Sequence, residues 1–82
     1  MVAARHLRKR SFQLAGHRTS VALEPAFWTA LEGIATRRGH SLAALVAEVD
    51  AARADPALPL ASALRVFCLA EGAGRQGVAQ DT

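Results

Sequence analysis

The chain has 82 residues, a single cysteine and a net charge of +3. That length makes one small domain at most, and a domain this size holds together comfortably only with a staple or a partner. Cys68 alone excludes an intrachain disulfide framework and a cysteine-based zinc site, and no apolar run approaches the ~18 residues of a membrane span. The missing staple points to oligomerisation. The pI near 10.5 suits an anionic partner, and the charge distribution says more than the total. Up to Leu23 the chain carries Arg5, Arg8, Lys9, Arg10 and Arg18 and no acid, whereas every Asp and Glu lies beyond. A local positive field of this kind beside an extended segment is what a chain needs to offer a ribbon to a polyanion.

In chain order, residues 1–10 lack periodicity and read as a flexible basic arm. Apolar residues alternate through residues 11–15. Gly16 and His17 follow, and then Thr19, Val21 and Leu23 alternate with Arg18, Ser20 and Ala22, the period of a strand. Gly16 either opens a tight hairpin turn or bends one longer extended segment, and the sequence leaves both open. Either form needs another strand or a helix to cover it, because an isolated two-stranded hairpin is marginal in water.

A first helix starts at Pro25, whose absent N–H costs nothing at the first helical position, with Glu24 beside the positive helix end. Phe27, Trp28, Leu31, Ile34 and Ala35 form its apolar stripe, Arg37 and Arg38 suit its last turn, and Gly39 caps it. Ser41 is the N-cap candidate of a second helix, in which Leu42, Leu45, Val46 and Val49 repeat at helical spacing. Pro56 and Pro59 break it. A short third helix is expected over residues 61–70 with Leu64, Phe67 and Cys68 on its apolar side; glycines 72 and 74 end it, and residues 71–82 read as a disordered tail. Residues 11–70 are the folded domain.

Catalytic chemistry finds no footing. His6, His17 and His40 are scattered, without an i, i+4 pair or a carboxylate at ligand spacing, so neither a metal nor a cofactor is expected. The glycines near the C-terminus lack the Lys and the following helix of a phosphate loop. Cys68 stands between Phe67 and Leu69, the setting of a buried inert thiol rather than a nucleophile. The chain is expected not to be an enzyme.

Residues 17–53, from His-Arg-Thr-Ser-Val-Ala-Leu-Glu-Pro-Ala-Phe-Trp through Gly39-His40-Ser41-Leu42, resemble a ribbon-helix-helix DNA-binding domain. More narrowly, residues 10–67 resemble the small bacterial ribbon-helix-helix domain proteins, through Arg10-Ser11, residues 15–20 (Ala-Gly-His-Arg-Thr-Ser), residues 23–28 (Leu-Glu-Pro-Ala-Phe-Trp), Leu60 and residues 62–67 (Ser-Ala-Leu-Arg-Val-Phe). The resemblance implies a mainly α fold with one short β-ribbon. It also implies an intertwined homodimer in which one strand from each chain pairs antiparallel, with the third helix added to the minimal fold. Val21, Leu23, Phe27, Trp28, Leu31, Leu45 and Val46 are then the dimer core.

On that frame Arg18, Ser20 and Ala22 face away from the core and contact base edges in the major groove of double-stranded DNA. Arg18 suits guanine, Ser20 either kind of base pair, and Ala22 a thymine methyl. Ala22 departs from the three polar outward residues usual in the class, which weakens the case for strong sequence specificity. Phosphates are assigned to Arg5, Arg8, Lys9 and Arg10 of the arm and to His40 and Ser41 at the start of the second helix. The expected function is transcriptional repression or autoregulation in the bacterial cytoplasm, at the nucleoid. Two rivals stand beside it. One is an antitoxin that binds a protein partner through residues 56–82; the other is a dimeric adaptor that no longer reads DNA.

Overall fold

The structure, a computed structural model, describes residues 6–80. Two strands, β1 (Arg8–Leu14) and β2 (His17–Leu23), form one antiparallel sheet and are followed by three helices, α1 (Pro25–Arg38), α2 (Leu42–Ala52) and α3 (Leu60–Gln80). Gly16 does open a hairpin. Leu14 pairs with His17, leaving Ala15 and Gly16 as a two-residue loop with φ of 50° and 83°. Positive φ at both central residues is the requirement of a type I′ turn, whose twist matches that of the strands it joins. Gly16 adopts it freely. Ala15 does so against its Cβ, at a cost of about 1–2 kcal/mol that the pairing and burial on either side offset.

This arrangement settles the choice at Gly16 and corrects one expectation. The turn brings residues 8–14 back alongside β2 and satisfies one of its edges within the chain, while its other edge is left unpaired in the two-stranded sheet. Arg8, Lys9 and Arg10 are not part of a flexible arm, because their backbone pairs with Leu23, Ala22 and Val21.

The register decides which side of the ribbon is buried. Phe12, Leu14, Val21 and Leu23 point to one face and are buried, with Thr19 half-buried among them. This face covers the apolar sides of the helices, contributed by Trp28, Leu31, Ile34 and Ala35 of α1, Leu45, Val46 and Val49 of α2, and Leu60, Ala63, Leu64 and Cys68 of α3. Leu23, Leu31, Leu45, Val46 and Leu64 are fully enclosed. Most of the residues assigned to a dimer core are therefore already buried inside one chain. Phe27 alone is left half-buried, with the Arg65 guanidinium 5.9 Å from its ring. Burial of each large side chain contributes roughly 1.5–3 kcal/mol.

The helix ends follow their sequence signals. At the end of α1, Gly39 takes φ 70°; its N–H donates to Thr36 O at 3.1 Å and that of His40 to Ala35 O at 2.8 Å, closing the helix with two backbone bonds. Ser41 Oγ accepts the Ala44 N–H at 3.0 Å and caps α2. Beyond α2, Arg53 ties the proline segment down: its guanidinium donates to Asp50 Oδ1 at 2.7 Å and to the Leu58 carbonyl. The third helix is longer than its composition suggests, because the glycines 72 and 74 do not end it and the backbone stays helical to Gln80. Glycine lowers helix propensity by about 1 kcal/mol relative to alanine without forbidding the conformation.

One bond fastens the ribbon to α1. The Trp28 indole N–H donates to the Arg8 carbonyl at 2.8 Å, and the Arg10 guanidinium lies 5.0 Å over the same ring. Phe12 completes the cluster at 5.9 Å between ring centroids.

A Cβ added at Gly16 would meet nothing within 4 Å, so its replacement acts on backbone conformation alone. Gly16→Val is expected to lower the free energy of unfolding by about 1–2 kcal/mol, with an unchanged urea m-value. An unchanged urea midpoint would mean that the left-handed turn is not what holds the hairpin.

Candidate nucleic-acid interface

The face of the ribbon turned away from the core is formed by three opposed pairs: Lys9 with Ala22, Ser11 with Ser20, and Gln13 with Arg18. Ala22 is half-buried and the other five are exposed. Two of the six are cations, three are uncharged hydrogen-bonding residues and none is an acid. At its centre the Ser11 and Ser20 hydroxyls share a hydrogen bond of 3.0 Å, which fixes both rotamers and leaves acceptor capacity facing outward. Arg18, Ser20 and Ala22 thus stand side by side on one outward face. The sequence reading missed the contribution of β1, namely Ser11 and Gln13; their alternation with Phe12 and Leu14 was the available signal, and only the unresolved choice at Gly16 hid it.

The basic residues divide by partner. Arg10 points to the core side of the ribbon, where Glu32 Oε2 holds its guanidinium at 2.8 Å against Trp28. Arg38 bonds Glu71 Oε2 at 2.9 Å, lies 3.8 Å from Glu48 and covers the Phe67 ring. Arg53 pairs with Asp50 and Arg65 with Glu24. Among the residues whose side chains the structure describes, 6–72, Arg8, Lys9, Arg18 and Arg37 make no ion pair, so three of these four uncommitted cations lie on the ribbon.

Of the residues assigned to phosphates, Lys9 and Arg8 are exposed, whereas Arg10 is already engaged by Glu32. His40 is exposed with Nδ1 3.8 Å from Glu48 Oε1, and Ser41 spends its hydroxyl on the cap of α2. Arg5 lies outside the described residues.

A second feature sits on the far side of α2. Val49, Ala52, Leu58, Ala63, Val66 and Phe67 line an apolar groove of about 340 Å³ between α2, the proline segment and α3. Leu58 and Val66 are exposed in its lining. No described helix is long and apolar enough to cross a membrane.

The ribbon-helix-helix domain family matches residues 7–71 of the chain. The solved structure of an uncharacterized protein from Bordetella pertussis Tohama I is similar over 92% of this chain, with a TM-score of 0.70 and 36% sequence identity. The match takes in 58% of that protein, so this chain spans less than two thirds of its length. No curated protein matches the chain.

One ion pair joins the end of the ribbon to the third helix. Arg65 Nε donates to Glu24 Oε1 at 2.9 Å, and this bond, with backbone hydrogen bonding at Glu24, holds the Glu24 carboxyl below the usual carboxylate range. A carboxylate whose pKa is depressed by folding stabilises the fold fully above its unfolded pKa and loses that contribution as pH falls through the depressed value. Glu24→Gln removes the titrating group. The wild-type protein is therefore expected to lose more stability than the variant between about pH 6 and about pH 3 in parallel urea titrations. Identical acid dependence would mean that the pair is too exposed to matter.

Proposed function

This chain belongs to the ribbon-helix-helix domain family, a DNA-binding family, and from that premise we propose that it is a sequence-specific DNA-binding protein, a transcriptional repressor or autoregulator that inserts its two-stranded ribbon into the major groove. The observation that carries the reading is the acid-free outward face of the ribbon, where cations and hydrogen-bonding side chains stand together while Arg10, Arg38, Arg53 and Arg65 are paired with acids. Strands about 4.8 Å apart fit a groove about 12 Å wide. Arg18 reads guanine through paired hydrogen bonds to O6 and N7, Ser20 contacts either type of pair, and Ala22 meets a thymine methyl.

Phosphates are held by Lys9 and Arg8 at the open end of the ribbon, with Arg5 before them. His40 and Ser41 add the first turn of α2, where unpaired backbone N–H groups favour an anion. Arg10 joins them only by exchanging Glu32 for a phosphate. The protein acts as a homodimer at the bacterial nucleoid, as the family implies, and needs no cofactor or metal.

The exposed Leu58 and Val66 of the apolar groove, with Leu69 also exposed on α3, favour a second reading, in which residues 56–82 also engage a protein partner, as an antitoxin or an adaptor does.

A salt titration of binding to random duplex DNA separates the roles. Lys9→Gln is expected to reduce the slope of log K against log salt by about 1 and to weaken binding evenly across sequences. Arg18→Ala is expected to cost about 1–3 kcal/mol on the preferred sequence and to relax the preference at one position. If the wild-type protein binds no duplex even at low salt, the DNA-binding reading fails, and the groove on α2 and α3 becomes the functional surface.

A further inference from the structure

We infer that β1 is a phosphate-contacting strand: it rides outside the major groove and sets Lys9 and Gln13 on the DNA backbone, while β2 alone reads bases. The inference rests on the DNA-binding reading above and on the two-fold partner that the family implies, and it gives β1 a role of its own.

Residues that flank a two-residue turn exchange both of their backbone hydrogen bonds, and such pairs alternate along an antiparallel ladder. Counting from Leu14 and His17, the backbone groups of His17, Thr19, Val21 and Leu23 therefore face β1. Those of Arg18, Ser20 and Ala22 face the other way, along the edge of β2 that the two-stranded sheet leaves unpaired. A groove of about 610 Å³ lies beside this edge, with Thr19, Val21, Arg53 and Leu60 in its lining. An open edge is a template for another strand, and a two-fold partner supplies an identical one. Of the two-fold registers, the one centred on Ser20 pairs all three free residues and sets each Arg18 opposite an Ala22. It also keeps the two arginines apart, and like charges directly opposite each other are destabilising.

The resulting sheet has four strands, with β2 from each copy in the middle and β1 from each copy outside. Spacings of about 4.8 Å put the outer strands about 14 Å apart, wider than a major groove of about 12 Å. The middle pair enters the groove with Arg18, Ser20 and Ala22. The outer strands cannot follow and come to lie over the backbones on either side. There β1 presents the Lys9 ammonium and the Gln13 amide, both exposed on the face that carries no acid. Such donors hold phosphate oxygens without regard to sequence. Ser11 shares its hydrogen bond with Ser20 and ties the outer strand to the middle one, and the Trp28 bond to the Arg8 carbonyl anchors the start of β1 to α1. The outer strand is thus in place before DNA arrives.

Selection from a randomised duplex library, followed by ethylation interference on the selected duplex, tests this with the wild-type protein, Gln13→Ala and Arg18→Ala. Both positions are exposed, and the urea midpoints of the variants verify that the fold is kept. The wild type is expected to select a two-fold element and to be blocked by ethyl groups on phosphates at both sides of it. Gln13→Ala should select the same element, lose the block at one phosphate in each half, and bind selected and random duplex alike about tenfold more weakly. Arg18→Ala should keep the phosphate pattern and change the element. If Gln13→Ala selects a different base, β1 enters the groove; if it leaves affinity and phosphate pattern intact, Gln13 does not touch DNA. Either result overturns the inference, while the effect of Arg18→Ala keeps the DNA-binding reading standing. A selected element without two-fold symmetry overturns it equally. A wild-type protein that binds no duplex overturns both.

Discussion

The pairing of β1 with β2 across Ala15 and Gly16 is the constraint on which the remaining structure depends. In this register Phe12 and Leu14 lie on the same side as Val21 and Leu23, and together they cover the three helices. A slip of one residue would turn Lys9, Ser11 and Gln13 inward and send Phe12 and Leu14 into water, because side chains alternate strictly along a strand. The turn therefore fixes the core and the outward face in one step. The left-handed conformation of Ala15 is tolerated because so much apolar surface depends on the closure it permits.

The second organising feature is the division of the charges. Arg10, Arg38, Arg53 and Arg65 each answer an acid, and three of them also lie over an aromatic ring. Exposed pairs of this kind contribute little stability one by one, with a median of about 0–1 kcal/mol. Their effect here is to compensate positive charge on the core side of the ribbon and on the helices, while Lys9 and Arg18 on the outward face of the ribbon have no acid beside them. A chain of modest net charge thereby keeps a strongly one-signed face, and such a face acts on an anion over about a Debye length.

Much of this was legible in the residues. Pro25, Gly39 and Ser41 mark helix ends because each answers a specific backbone need, and the stripes of α1 and α2 mark the buried sides. The alternation of residues 11–15 and 18–23 showed which side chains share a face. The hairpin itself stayed undecided, since a glycine serves a bend and a turn alike and nothing in an alanine announces a positive φ. The start of β1 at Arg8 was hidden for a related reason. Arg8, Lys9 and Arg10 carry no apolar alternation, and what draws them into the sheet is Trp28, 20 positions from Arg8, together with Glu32. Pairings at that separation leave no local trace. The length of α3 was missed because two glycines weaken a helix without ending it. The DNA-reading roles came from family resemblance to particular strings, and composition alone gave only an anionic partner.

The position of Trp28 has an optical consequence. It is the sole tryptophan, the chain has no tyrosine, and the indole is 3% exposed with its N–H on the Arg8 carbonyl and a guanidinium over its ring. Near-ultraviolet emission therefore comes from one site beneath the first strand. Lifting that strand hydrates the indole, removes its acceptor and takes away the neighbouring cation together, so a red shift reports detachment of the ribbon from α1. The molecule thus carries an intrinsic probe at the junction between its reading surface and its core, and no label needs to be added near either.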